Sequence, residues 1–75
     1  MASELKTIIN EISNYRASFY KNDFIVKVND YQVLGTEKTD KYEIDILKNY
    51  NIIQKGTINK DDVVYFLLYF KEKTS

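Results

Sequence analysis

Neither cysteine nor histidine occurs in the 75-residue chain, and these two absences remove several kinds of chemistry. Without cysteine no disulfide can form, and without either residue type there is no ordinary zinc site. The most nucleophilic side chain and the usual general base at neutral pH are missing as well. We therefore predict that the protein is not an enzyme and that it carries no metal or other cofactor.

The serines and carboxylates that remain do not form a catalytic group. Ser13 and Ser18 fall in a segment with helical periodicity and lack the strand-to-helix turn that exposes a serine nucleophile. Asp61 and Asp62 are adjacent, and adjacent residues on a helix point about 100° apart. We interpret the serines as solvated helix residues and the two aspartates as first-turn residues of a helix, where the helix dipole favours negative charge.

Proline is also absent, and no repeat or linker divides the chain, which leaves helices and strands uninterrupted. A chain of this size forms one domain, 1–75, and buries only roughly 60% of its unfolded surface. Seven tyrosines and four phenylalanines provide the large apolar area that so small a core needs. The aromatic side chains therefore serve a packed core, self-association, or both.

The chain has no excess of either charge, because eleven basic residues balance eleven acidic ones. No overall field attracts it to nucleic acid or to an anionic membrane. The longest apolar run, residues 63–70, is far shorter than the about 20 residues that a membrane-spanning helix needs, and no signal peptide is recognisable. We expect a cytoplasmic protein with no membrane partner. Its many lysines, asparagines, isoleucines and tyrosines are typical of an AT-rich coding sequence, as in phages, plasmids or low-GC bacteria.

The apolar run at residues 63–70 is predicted to be a C-terminal helix. Asn59 can cap it, and Lys71 and Lys73 lie in its last turn. On a helix, Tyr65 and Tyr69 share one face at i, i+4. The other side chains form one broad apolar arc, predicted to be buried: Val63, Val64, Phe66, Leu67, Leu68 and Phe70.

The N-terminal segment, residues 3–21, has the periodicity of an amphipathic helix. Its apolar residues recur at i, i+3, i+4 and i+7, and the polar group 21–23 ends it: Leu5, Ile8, Ile9, Ile12, Tyr15 and Phe19. Residues 24–28 and 31–35 then alternate as two strands of a β-hairpin. A two-residue turn at positions 29 and 30 places Val28 opposite Tyr31 and Val26 opposite Val33.

The segment from residue 41 to residue 58 is ambiguous. Tyr42, Ile44 and Ile46 alternate as in a strand, whereas Asp40 followed by Glu43 resembles a helix capping box. The capping pattern favours a second short helix over residues 41–50, followed by a short strand or ordered loop at 52–58 with Gly56 as its turn residue. The sequence thus predicts a small α+β domain made of helix, hairpin, helix, strand or loop, and helix.

The first functional hypothesis is a non-enzymatic module that binds a protein partner or forms a homodimer. Tyr65 and Tyr69 are the predicted contact residues, because tyrosine combines a rigid apolar body with a polar tip. An equally simple interpretation is that both tyrosines only flank the core. The small size and the AT-rich composition suggest a phage- or plasmid-type regulator that inhibits a host protein.

The alternative hypothesis is a nucleic-acid-binding regulator of winged-helix type. Its candidate residues lie in a segment with no acidic residue between Asp45 and Asp61, and they combine positive charge with one aromatic ring: Lys48, Tyr50, Lys55 and Lys60. The connection between Tyr50 and Asp61 is longer than the turn of a helix-turn-helix motif, which argues against this alternative. A third, weaker possibility is a structural subunit of a larger assembly.

Overall fold

Residues 3–75, which a computed structural model describes, form two helices on one face of a five-stranded antiparallel sheet. Met1 and Ala2 lie outside the described residues. The small single-domain α+β class is therefore confirmed. In chain order the elements are α1 Ser3–Ile12, β1 Ala17–Tyr20, β2 Asp23–Val28, β3 Tyr31–Glu37, β4 Lys41–Lys48, β5 Asn51–Asn59, a 3₁₀ turn Lys60–Asp62, and α2 Val63–Thr74.

Each strand pairs with the next one along the chain, so the spatial order of the sheet is β1-β2-β3-β4-β5. Alternate residues of the strands point towards α1 and α2, and no helix within residues 3–75 covers the other face. In the β2–β3 hairpin, Val28 lies opposite Tyr31 and Val26 opposite Val33. The buried core joins sheet and helices: Ile9, Ile12, Phe24, Val26, Val28, Val33, Tyr42, Ile44, Ile46, Val63 and Leu67.

Helix α1 ends at Ile12 and not near residue 21, which corrects the first predicted boundary. Asn14 and Tyr15 adopt left-handed backbone conformations, with φ of 57° and 63°, and these end the helix. The segment that follows pairs with β2, with Ala17 opposite Val26 and Phe19 opposite Phe24. Pairing to a hydrophobic strand therefore overrides the helical periodicity of residues 13–21.

The predicted second helix at residues 41–50 is wrong, because this segment contains β4. Tyr42, Ile44 and Ile46 are all buried on the helix-covered face of the sheet, as strand alternation requires. β4 has a hydrogen-bonded neighbour on each side, whereas an isolated helix of ten residues gains little from its caps alone. Asn49 and Tyr50 then form a two-residue hairpin turn with φ of 52° and 66°, as in a type I′ turn.

The segment assigned to a short strand or ordered loop is the longest strand of the sheet. β5 forms an edge, and Gly56 lies inside it opposite Ile44 and is not a turn residue. Gly35 has a different role, because the ring of Phe24 lies against its Cα where a larger residue would carry Cβ. A β-bulge between the Ile46 and Leu47 pairs shifts the register near the β4–β5 turn.

The approach to α2 also differs from the predicted cap. Residues 60–62 form a 3₁₀ turn of their own, and the Asn59 side chain makes no capping hydrogen bond. Asp62 occupies the N-cap position of α2, again without a side-chain cap. The helix extends through Thr74, where Asn29 of the β2–β3 turn donates hydrogen bonds to the Lys71 carbonyl and the Thr74 hydroxyl at 2.9 and 2.8 Å.

Candidate interaction surface

Helix α2 exposes a continuous apolar stripe on the side away from the sheet. Tyr65, Leu68 and Tyr69 are 79%, 50% and 59% exposed, and they neighbour one another at the i+3 and i+4 spacings. We call these three residues the α2 stripe. The sequence predicts the two tyrosines as contact residues, but its prediction that Leu68 is buried is wrong.

The burial of the opposite side of α2 explains why Leu68 is exposed. Val63 and Leu67 are completely buried, and they define the line that faces the core. Phe66 and Phe70 pack beside that line, and the ring of Phe70 meets the ring of Tyr31 edge-on at 5.2 Å between centroids. The buried side of α2 is therefore narrower than the predicted arc, and Leu68 lies beyond its border.

Charged side chains at both ends of the α2 stripe make its surroundings acidic. Asp61 and Asp62 lie one helical turn before Tyr65, and Glu72 lies one turn after Leu68 and Tyr69. All three acidic residues are exposed. Lys73 is the one basic residue on this side of the described helix, and its ammonium lies 5.6 Å from the centroid of the Tyr69 ring. Lys71 points elsewhere, since its Nζ donates to the Ile12 carbonyl of α1 at 2.7 Å.

The four candidate nucleic-acid residues do not share one surface. Lys48 and Tyr50 lie at the β4–β5 turn, where the Lys48 ammonium is 5.3 Å from the ring centroid of Tyr31. Lys55 lies in the middle of β5 and approaches Asp45 at 3.7 Å. Lys60 lies at the other end of the sheet, in an ion pair with Glu37. The alternation of strand residues and the length of β5 separate side chains that are close in sequence.

The winged-helix architecture required a second helix before the C-terminal one. β4 occupies that position, so the predicted order of helix, strand, helix, strand and helix is absent from residues 3–75. The nucleic-acid alternative therefore stays a prediction, without the winged-helix arrangement that suggested it.

A polar network closes the end of the sheet opposite the β4–β5 turn. The Glu37 carboxylate accepts hydrogen bonds from Asn22 Nδ2 at 3.0 Å and from Lys60 Nζ at 2.9 Å, and these contacts hold the pKa of Glu37 below its usual value. Asp23 accepts a bond from the Glu37 backbone N–H. The Tyr42 hydroxyl donates to the Asn22 carbonyl at 2.6 Å. Burial, with smaller contributions from the charges of Glu37 and Asp23, raises the pKa of Tyr42 to about 12.

The serines considered as nucleophiles have structural positions. Ser13 is buried, contrary to the expectation of a solvated side chain, and its hydroxyl donates to the Ile9 carbonyl. Ser18 lies on β1 and not on a helix. A recess of about 400 Å³ lies beside β1 and is mainly apolar, and Tyr20 and Asp23 are its titratable side chains. Among residues 3–75, no group of three or more acidic residues is placed to hold a metal ion.

Neither helix of the described part of the chain has the length and apolar character needed to cross a membrane. Comparisons of the chain with protein-family models, with curated proteins and with solved structures gave no match.

Proposed function

We propose that the protein is a non-enzymatic interaction module that binds a partner protein through the α2 stripe. The observation that carries the proposal is the exposure of Tyr65, Leu68 and Tyr69 together on one helix face. Apolar side chains that line up on a helix are usually directed towards a core, and a contiguous exposed group marks an interaction site more often than a single exposed residue does. Tyrosine is also among the residues enriched at interfaces.

The charge around the stripe selects the kind of partner. The stripe is surrounded by three acidic residues and one lysine, so the net charge of this face is negative: Asp61, Asp62, Glu72 and Lys73. Two copies of the same face would bring acidic groups together, and like charges across an interface cost free energy. The complementary partner is therefore a different protein whose apolar surface is flanked by lysine or arginine. Such a partner fits the proposed role of a cytoplasmic regulator or inhibitor of phage or plasmid type.

The test uses a synthetic helical peptide with a leucine stripe in two versions, one flanked by lysines and one flanked by glutamates. We expect the lysine version to bind with at least about tenfold higher affinity, measured by fluorescence anisotropy at low salt. The paired substitution Tyr65→Gln and Tyr69→Gln should abolish binding. The control is Tyr20→Thr, which removes an equally exposed tyrosine from β1.

Three results would contradict the proposal. The first is equal binding of the two peptide versions, because charge would then have no part in recognition. The second is unchanged binding by the Tyr65 and Tyr69 variant. The third is a concentration-dependent dimer in sedimentation equilibrium that disappears in this variant, which would assign the stripe to a second copy of the chain, as in the homodimer hypothesis.

A further inference from the structure

The two glycines of the chain lie in one row across the sheet. Phe24 pairs with Gly35, Gly35 with Ile44, and Ile44 with Gly56, so these four residues are directly opposite one another on successive strands. Directly opposed residues of antiparallel strands share a face. Phe24 and Ile44 are both buried in the core, which places the row on the face that the helices cover. We call it the glycine row.

Gly35 shows how an aromatic ring compensates for a glycine in this row. The ring of Phe24 occupies the space where a larger residue at position 35 would carry Cβ. An aromatic side chain on a neighbouring strand can thus replace the side chain that a glycine lacks. Gly56 has no such cover, because a Cβ there would meet nothing within 4 Å. On one side it pairs with Ile44, and on the other it faces the free edge of the sheet.

An apolar recess of about 160 Å³ lies over Gly56. Its lining includes two buried isoleucines of β4, an isoleucine of β5 and a phenylalanine of α2: Ile44, Ile46, Ile58 and Phe66. An apolar cavity of about 150 Å³ with a similar lining is large enough to hold benzene. The recess therefore has room for one aromatic ring, placed over Gly56 as the Phe24 ring is placed over Gly35.

The outer edge of β5 is open to a further strand. β5 has nine residues, whereas β1, the strand at the opposite edge, has four. The β-bulge adjoins the β4–β5 turn, so residues 54–59 stay in regular register with β4. No strand within residues 3–75 pairs with the outer side of β5, and a free edge presents unpaired N–H and C=O groups. The edge and the recess together can receive an extended segment that carries one aromatic side chain.

The charge of β5 indicates a second feature of this segment. Lys55 is the one charged residue of β5, and its side chain is 69% exposed with its ammonium 3.7 Å from the Asp45 carboxylate. On an antiparallel added strand, the residue opposite Lys55 directly follows the residue opposite Gly56. Opposite charges on paired strands are stabilising. The complementary segment therefore has an aromatic residue followed by an acidic one.

A second copy of β5 does not have this complementarity. β5 contains no aromatic residue, and it contains no acidic residue either. Antiparallel pairing of two copies about Gly56 would place glycine opposite glycine and leave both recesses unfilled. It would also bring the two Lys55 side chains to the same face at a diagonal spacing, where like charges repel.

We propose that the outer edge of β5 binds an extended segment of another protein as a sixth, antiparallel strand. The segment places an aromatic side chain over Gly56 in the recess and an acidic residue opposite Lys55. In strand addition, main-chain hydrogen bonds provide affinity and the recesses for alternate side chains provide specificity. This site is separate from the α2 stripe, and either can be absent without the other.

The test titrates the full chain with an extended seven-residue peptide in which a central phenylalanine is followed by glutamate and the other positions are threonine or valine. Amide chemical shifts in NMR spectra report the binding, and we expect the largest changes at residues 54–58. Alanine in place of the phenylalanine should weaken binding at least about tenfold, because the apolar burial of the ring is lost. Lysine in place of the glutamate should weaken it about two- to fivefold.

Substitutions on β5 separate the recess from the rest of the edge. Gly56→Val fills the recess with its own side chain and should weaken binding of the peptide at least about tenfold. Its urea midpoint should be no lower than that of the wild type, because valine favours strands and the site is open. The matched control is Thr57→Val, whose side chain leaves the other face of the sheet and whose affinity should stay within about twofold of the wild type. Gly56→Val should still bind the lysine-flanked helical peptide, which distinguishes this site from the α2 stripe.

Two further peptides test the strand pairing itself. They carry N-methyl groups on alternate residues, one peptide on the odd positions and the other on the even positions. Alternate residues of an antiparallel strand direct their N–H groups to the same neighbour, so one peptide should lose binding and the other should keep it.

Four results would overturn the proposal. Equal behaviour of the two N-methylated peptides would refute strand addition. Unchanged binding by Gly56→Val, or an equal loss in Thr57→Val, would refute the role of the recess. Absence of binding at millimolar peptide would refute the site. A dimer in sedimentation equilibrium that disappears in Gly56→Val would assign the edge to a second copy of the chain.

Discussion

The two glycines of the chain should respond in opposite ways to replacement by alanine. A methyl group on Gly35 would overlap the outer carbons of the Phe24 ring, whereas a methyl group on Gly56 would meet nothing within 4 Å. Both residues lie in strands with ordinary negative φ, so neither replacement strains the backbone by itself. The comparison therefore isolates the effect of the Phe24 contact.

The magnitude follows from how little room Phe24 has. Its side chain is buried, and its ring packs against the ring of Tyr42 with 5.4 Å between centroids. Forcing an extra methyl group into such a core costs typically about 1 to 3 kcal/mol. Alanine restricts the unfolded chain more than glycine does, which stabilises either variant by about 0.4 to 1 kcal/mol. That gain cancels between the variants, and Gly35→Ala should be about 1 to 3 kcal/mol less stable than Gly56→Ala.

Urea unfolding of the two variants, followed by circular dichroism, measures the difference. Replacing Phe24 with leucine in both the wild type and Gly35→Ala provides a double-mutant cycle, since a smaller side chain leaves space for the methyl group. We expect Gly35→Ala to cost less in the Phe24→Leu background. Two results would refute the packing argument. One is equal stability of Gly35→Ala and Gly56→Ala, and the other is a loss of stability in Gly35→Ala that Phe24→Leu leaves unchanged.

Three other perturbations test the turns and the polar network. Tyr50→Gly should raise the free energy of unfolding in urea by about 1 kcal/mol, because glycine adopts the left-handed backbone conformation without steric cost. A lower free energy of unfolding would mean that the Tyr50 ring packs against the folded protein. The pKa of Glu37 is lowered, so the contribution of its carboxylate to stability is fully present above its ordinary pKa of 4.5. That contribution is lost as the pH falls through the lower pKa of the folded state. In Glu37→Gln the urea midpoint should therefore depend less on pH in this acidic range. The pKa of Tyr42 is raised to about 12, so the contribution of its neutral hydroxyl to stability is present below pH 10 and is lost as the pH rises towards 12. An absorbance titration at alkaline pH should show one tyrosine that ionises near pH 12, and this ionisation should be missing in Tyr42→Phe.

The strand signals in the sequence were more informative than the capping signals. Tyr42, Ile44 and Ile46 alternate, and all three are buried on one face of β4. The capping pattern at Asp40 and Glu43 favoured a helix, but a capping box is worth only about 1 kcal/mol. Two hydrogen-bonded neighbouring strands outweigh it, and those neighbours are not visible in a local window of sequence. The ambiguity of this segment was thus resolved by tertiary pairing.

The α2 stripe could be predicted only in part, because burial on a helix depends on what covers it. Tyr65 and Tyr69 were separable from the rest of the helix by their polar tips. Leu68 was not, since its chemistry equals that of Leu67, which is completely buried. The difference between these two leucines lies in the position of the sheet relative to the helix axis, and periodicity fixes that position only to within a residue on an apolar run.

The positions of the charged residues show why a short stretch of sequence does not predict a charged surface on a sheet. The sequence groups three lysines as one candidate surface because they are close along the chain: Lys48, Lys55 and Lys60. A strand advances about 3.3 Å per residue, however, so these residues are far apart in the folded protein. Arg16 and Lys27 are separated by a turn and parts of two strands, and the β1–β2 register places them face to face. In a meander sheet, the charges that act together are related by register and not by position in the sequence. Charge counted across the paired strands therefore identifies Arg16 and Lys27 as neighbours, whereas charge counted along the chain groups lysines that the fold keeps apart.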